Sequence, residues 1–252
     1  MERPLRAKDF DVAARTVLDQ LVSTQTDAIE RAAVLVADAL RAGGVLQAFG
    51  TGHSRAPAME LAGRAGGLVP TNRISISDLA MLGGWDPEQV RDPLIERDPT
   101  VAAELWKLHD IRDGDVMVIA SNSGCNSSTV EMGRLATAAG LPVIAITSVT
   151  HSSMMTSRHP SGRRLMDEAD VVIDNCGPFG DAVLEPSEGL RVCGVSTVSS
   201  TLAAQMMVAE VVGLLMVDGD APVYLSANIP GGDEHNEELR ARYAGRIRPG
   251  EA

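Results

Sequence analysis

Apolar residues fall into two rhythms along this chain. Residues 45–49, 116–120, 142–147 and 171–174 are short, nearly unbroken apolar runs, as expected of strands buried on both faces. Between them apolar residues recur at three and four, the period of a helix with one buried face. Residues 8–42 carry Val17, Leu18, Leu21, Ile29, Ala32, Ala33, Val36 and Leu40 in this way, and Gly43-Gly44 stops the pattern. This stretch reads as one long helix or two. Helical spacing returns after Ser54, from Thr100 to Leu108, after Asn126, around 163–169, from Val195 to Val217 and from Asp233 to Tyr243. Residues 68–76 offer one more extended segment.

Strands separated by helices pair in parallel through right-handed crossovers. The pattern therefore predicts an α/β protein, a three-layer α/β/α sandwich around a parallel sheet of about five strands. It divides into an N-terminal helical segment (1–44), packing on the domain or on a dimer partner, a central domain (45–220), and a C-terminal loop and helix (221–252). Glycine and three prolines break up residues 83–99, which read as mostly loop with short turns, while 175–190 and 225–232 read as loop. A long irregular stretch inside a compact domain is often functional. Residues 246–252 read as a frayed end.

Composition narrows the function. Of 252 residues 44% are hydrophobic, but only two Trp, two Tyr and three Phe are present, so the core is built from Ala, Val, Leu, Ile and Met. The net charge of −12 and the lack of a Lys/Arg block argue against nucleic acid. Cys125, Cys176 and Cys193 have no metal spacing and suit free thiols in a reducing compartment. No signal-like N-terminus is evident, nor is any run of about 18 apolar residues for a membrane span. A cytoplasmic protein is the expectation.

Candidate chemistry lies in three turns. Ser121-Asn122-Ser123-Gly124-Cys125-Asn126-Ser127-Ser128 follows a strand and opens a helix. Its four serines, two asparagines and one glycine offer hydroxyl, amide and backbone donors to a phosphate at a helix N-terminus. A polar turn with an ordinary cap is the plainer reading. Gly50-Thr51-Gly52-His53-Ser54 stands in the same strand–turn–helix setting. It fits neither nucleotide-binding glycine motif; Gly52, His53 and Ser54 are its candidate contacts. Ser196-Thr197-Val198-Ser199-Ser200-Thr201 opens the long late helix, with Ser196, Ser199 and Ser200 as candidates for an anion or for simple capping.

These turns and their order resemble the SIS (sugar isomerase) domain of phosphosugar isomerases and phosphosugar-binding regulators, over about residues 30 to 220. The 121–126 turn is similar to that family's Ser-x-Ser-Gly-x-Thr/Ser loop, with Asn126 where a hydroxyl is usual. The resemblance implies a flavodoxin-like sandwich. Glu60-Leu61-Ala62-Gly63-Arg64 is similar to the Glu-Leu-Thr-Gly-Arg of sedoheptulose 7-phosphate isomerases, whose glutamate is catalytic. Leu94-Ile95-Glu96-Arg97-Asp98, followed by Asp113-Gly114-Asp115-Val116 and the Ser123-Gly124 turn, resembles the acid/base region of N-acetylmuramic acid 6-phosphate etherases. Asn236-Glu237-Glu238-Leu239 also looks like the etherases' Asn-Glu-Lys-Leu, whereas Ser196 to Thr201 departs from them. The tail of residues 228–236 is shared with a set of single-domain relatives.

What the resemblance implies is a homodimer or higher homo-oligomer with shared active sites, its ligand a small sugar phosphate. In such a site a carboxylate takes the proton at C2 of an opened aminosugar 6-phosphate. Glu60 and Glu96 are the candidates, and His235, after the Gly231-Gly232 hinge, is a third group able to relay a proton. Departure of the C3 oxygen makes the enzyme a lyase, the favoured expectation. Reprotonation at C1 makes it an isomerase, and binding without turnover makes it a sensor. No cofactor is expected. His53, Glu60 and His235 lack metal spacing, so no metal is assigned.

Overall fold

The computed structural model describes residues 4–248. Five parallel strands form the central sheet: β1 (Leu46–Gly50), β2 (Thr71–Ile74), β3 (Val116–Ala120), β4 (Val143–Thr147) and β5 (Val171–Asp174), in the order β2-β1-β3-β4-β5. β1 pairs Phe49 with Ile119 of β3 and with Ile74 of β2. Alternate residues feed opposite cores, as the pleat requires. Val116, Val118 and Ala120 face one cluster, while Met117 and Ile119 face the other.

The first core is closed by α2 (Thr26–Arg41), α3 (Arg55–Leu61) and α9 (Ser196–Met216), and the second by α4 (Asp78–Met81), α6 (Thr100–Leu108) and α7 (Ser127–Ala138). This is the expected three-layer α/β/α sandwich. The N-terminal stretch is two helices, α1 (Ala7–Thr24) and α2, parted at Gln25. α1 packs along the edge of the first layer, where Ala14 and Val17 meet Val195.

Residues 83–99 are mostly irregular, as expected, with the short helix α5 (Pro87–Val90), capped by Asp86. Other expectations are corrected. A further short helix, α8 (Val149–Met154), capped by Ser148, follows β4. The stretch read as loop at 175–190 gives way to an antiparallel hairpin, β6 (Ala182–Ser187) with β7 (Leu190–Gly194). By length and composition α9 does qualify as a candidate membrane span. In the fold it is a core helix, with Ala203, Ala204, Met207, Val208 and Val211 buried against α2 and the sheet.

The C-terminal helix α10 (Gly232–Arg242) lies at the amino ends of the strands. Val223 bridges Leu68 just before β2, and the Asn236 side chain bonds both backbone groups of Leu225. Arg246 is not frayed: its guanidinium meets Asp115 at 2.5 Å and its carbonyl accepts from Asn72. The rest of that segment, 249–252, lies outside the described residues.

Candidate functional site

The strand order reverses between β1 and β3: β1 leads outward to β2, and β3 leads the other way to β4. At such a point the two following turns diverge and leave a crevice beyond the carboxyl ends of the strands. Here that crevice is a cavity of about 560 Å³. Thr51, Gly52, His53 and Ser54 wall it from the β1 turn, and Ser121, Asn122, Ser123 and Asn126 from the β3 turn. Glu96, His151, Asp181, Gly194, Ser196 and Thr197 complete it.

The first turn is tight because β1 ends on Gly50. A side chain there would collide with the carbonyl of Ser54, so the chain folds back only through glycine. The second turn needs Gly124, which sits at φ +60° with Ser152 Oγ and Thr147 Oγ1 within 3.2 Å of where a Cβ would lie. The two turns are tied together. Asn122 donates its N–H to Ser54 Oγ at 3.3 Å, and its side-chain oxygen accepts from Asn175 at 3.0 Å. Asn175 donates also to Ser200 Oγ at 3.0 Å, which carries the link to α9.

The N-termini of α7 and α9 both border the cavity, and they differ. The Asp181 carboxylate takes the start of α9, accepting from Val195 N at 3.0 Å, Ser196 N at 2.7 Å and Ser196 Oγ at 2.9 Å. α7 has Asn126 at its N-cap but no side-chain cap. The Asn126 side-chain oxygen accepts instead from the Arg158 guanidinium at 3.0 Å, which brings a cation to the turn. Partial positive charge at a helix N-terminus is therefore already matched at α9 and left open at α7.

Glu96 stands over this turn. It lies in a 3-10 turn, Ile95–Arg97, in the segment leading from α5 to α6. Ser128 Oγ donates to the Glu96 carbonyl at 2.8 Å, and Thr51 Oγ1 donates to Glu96 Oε2 at 2.6 Å. One bond fixes the backbone and the other aims the carboxylate. His151, on α8, accepts the Gly180 N–H at Nδ1, 3.1 Å away, and its ring rests against Phe179 with centroids 5.1 Å apart. Burial pushes its imidazole below the ordinary value, and Asp181 pulls the other way. A neutral ring that accepts at Nδ1 carries its proton on Nε2.

The sequence candidates thus sort by position. Gly52, His53, Ser54, Glu96, Ser121, Asn122, Ser123, Asn126 and Ser196 line the cavity. Gly124 shapes the turn from behind. Ser127 is buried and donates to the Arg158 carbonyl at 2.8 Å, so its hydroxyl, like that of Ser128, is spent on the scaffold. Ser199 and Ser200 are buried behind the wall. Glu60 does not line the cavity: on α3 it pairs with Arg64 and accepts from Gln205 of α9 at 2.8 Å. His235 is also remote, because its Nε2 meets the Val223 carbonyl at 3.0 Å at the opposite end of the sheet. The two glutamates are not brought together within one chain. Among the described residues no group of three or more His, Cys, Asp or Glu side chains converges to hold a metal ion.

Thr51, His151, Asp181 and Asn175 were not singled out from the sequence. Thr51 stood inside a noted turn. Asp181 had a faint signal, a short acid ahead of a serine-rich helix start. Nothing local marks His151 or Asn175.

The model of the SIS domain matches residues 9–148 of this chain. A UPF0309 protein of Listeria monocytogenes is 38% identical over 237 residues, covering 93% of this chain and 95% of the relative. A UPF0309 protein of Brucella canis is 40% identical over 238 residues, 94% of each chain. Among solved structures, a phosphoheptose isomerase from Francisella tularensis superposes with a TM-score of 0.55 at 14% identity, over 81% of this chain and 95% of that one. The NanR protein of Vibrio vulnificus complexed with ManNAc-6P gives 0.50 at 12% identity, over 94% and 67%. At these identities the likeness is one of fold.

Proposed function

The chain belongs to the SIS domain family, and from that premise we propose that it binds an aminosugar 6-phosphate and eliminates the substituent at C3. One observation carries the phosphate assignment: α7, fronted by Ser121, Asn122 and Ser123, starts at the cavity with no side chain capping it and with the Arg158 guanidinium held at its N-cap residue. An anion there meets backbone N–H groups, hydroxyls and the Arg158 charge without any lysine. The ManNAc-6P held by the NanR neighbour is a ligand of this kind. A phosphorylated substrate and the free Cys125, Cys176 and Cys193 suit a cytoplasmic protein.

With the phosphate at that turn, the Glu96 carboxylate is the base on the cavity wall. It takes the C2 proton of the open-chain aldehyde. The electron pair of the C2–H bond forms the C2–C3 double bond, the C3–O bond breaks, and the departing oxygen takes a proton. His53, exposed on the cavity wall, supplies that proton, and the Nε2–H of His151 donates a hydrogen bond to the substrate's carbonyl oxygen. Glu60 and His235 enter only across a subunit contact, as in a homodimer with shared sites.

A second reading has its own support. Only one of the two expected glutamates lines the cavity. One carboxylate is enough to carry a proton from C2 to C1, which is isomerisation. Incubation with N-acetylglucosamine 6-phosphate and NMR of the product separates the two. A 2,3-unsaturated aldehyde absorbing in the near ultraviolet is expected; a ketose phosphate would establish the isomerase instead. Tight binding with no product would make the protein a sensor.

A further inference from the structure

A second cavity of about 510 Å³ adjoins the first, and nothing in the reaction described above uses it. Thr51, Gly52 and Glu96 line both, so the aimed carboxylate stands in the wall between them. The two cavities differ in chemistry. The first is ringed by hydroxyls, amides, His53, His151 and Asp181, whereas the second is walled mainly by Ile76, Val90, Pro93 and Ile95, with Arg55 and Arg91 beside them and with Ser75 and Ser77 bonded to each other at 2.7 Å. Arg91 is neutralised by Glu88, and Asp92 is engaged by the Leu94 N–H at 2.8 Å. Arg55 has no such partner among the described residues. The first cavity alone has the volume of a small-ligand site, roughly 300–1,000 Å³. A bare sugar phosphate seated on the 121–126 turn leaves the second cavity unused.

We infer that the second cavity is a substituent subsite. It takes an apolar group that extends from the sugar past Glu96 and ends in an anionic or hydrogen-bond-accepting group at Arg55. This rests on the phosphosugar reading and narrows it to substituted sugar phosphates. The position of Glu96 gives the reason. Thr51, Gly52 and Glu96 line both cavities, so a sugar whose C2–H faces Glu96 lies against the shared wall, and a substituent splayed to the side of that bond passes the carboxylate's flank into the second cavity. There the apolar lining rewards each methylene removed from water.

Titration calorimetry with reduced probes tests this without turnover. N-acetyl, N-butyryl and N-succinyl glucosaminitol 6-phosphates lack the C1 aldehyde, so their C2 proton is not acidified and they cannot turn over. The N-butyryl compound is expected to bind about tenfold tighter than the N-acetyl one. Val90→Trp, which fills the second cavity, should erase that gain and leave N-acetyl binding unchanged. Arg55→Ala, at an exposed position, should remove any advantage of succinyl over butyryl. Equal affinities for all three probes in the unaltered protein overturn the subsite and leave the phosphosugar reading standing. So does a Val90→Trp protein that weakens every probe alike while remaining folded. If no probe binds, the phosphosugar reading has itself failed and the subsite falls with it.

Discussion

Thr51 Oγ1 donates to Glu96 Oε2 at 2.6 Å, joining residues 45 positions apart across the mouth of the cavity. The bond leaves the other carboxylate oxygen free to face a ligand. It ties the orientation of the proposed base to the β1 turn. If Glu96 takes the C2 proton, Glu96→Gln should lower turnover by about 10²–10⁴-fold while the sugar phosphate still binds. Thr51→Val keeps the shape and removes the bond, and should cost about tenfold in kcat with little change in KM. Steady-state kinetics on the two variants checks this. An unchanged kcat in Glu96→Gln would remove Glu96 from the chemistry.

The serines of the 121–128 turn should separate into two groups. Ser123 Oγ accepts only a long 3.5 Å bond from Cys125 N, so its proton is available to a ligand. Ser123→Ala should weaken phosphate-ester binding about tenfold and leave the melting temperature alone. Ser128 is buried, and its hydroxyl holds the Glu96 carbonyl at 2.8 Å. Ser128→Ala should cost about 1–2 kcal/mol of stability, because the part-buried Glu96 carbonyl loses its donor. Paired thermal melts and ligand titrations reveal whether the groups behave this way. Identical profiles would mean that the turn acts as one unit.

How much of this was legible beforehand depended on the range of the interactions. β3 and β4 are buried on both faces along their whole length, so an unbroken apolar run identified them. The β6–β7 hairpin was missed because it is largely exposed and Pro186 interrupts its first strand, a residue that counts against a strand from sequence alone. α8 is only six residues long, too short for a helical period, and His151 went unnoticed with it. The 121–128 turn was visible because its residues are contiguous. The partnership of Glu96 was not, since Thr51 and Ser128 reach it from distant segments. Glu60 had the better local motif, yet α3 turns it toward Gln205 of α9, a direction that a helical repeat does not encode.

Asp181 allows a test of which helix end seats the anion. Its carboxylate caps α9 through Val195 and Ser196, from a backbone at φ 69° that asparagine tolerates. Asp181→Asn should keep much of the cap and lower the melting temperature only slightly. Asp181→Ala should cost about 1–2 kcal/mol. Inorganic phosphate should bind both variants at least as well as the unaltered protein, because a negative charge has left the cavity wall. Loss of phosphate binding in Asp181→Asn would place the anion at α9 and contradict the assignment to α7.

His151 sets an acid limit on stability, and the sign follows from its environment. Burial lowers the affinity of the folded protein for a proton at this ring, while an unfolded imidazole titrates at about 6.5. As pH falls through that value the unfolded chain takes up the proton more readily than the folded one. Stability therefore declines toward acid and is recovered above it. Protonation also sets an Nδ1–H against the Gly180 N–H that it now accepts at 3.1 Å. In His151→Asn the side-chain oxygen replaces Nδ1 as acceptor and nothing titrates. Urea midpoints measured at about pH 5.5 and pH 7.5, either side of the ordinary imidazole value, should therefore differ less in the variant than in the unaltered protein. Equal slopes in the two proteins would show that other groups govern the acid limb and that the ring is not held neutral by its surroundings.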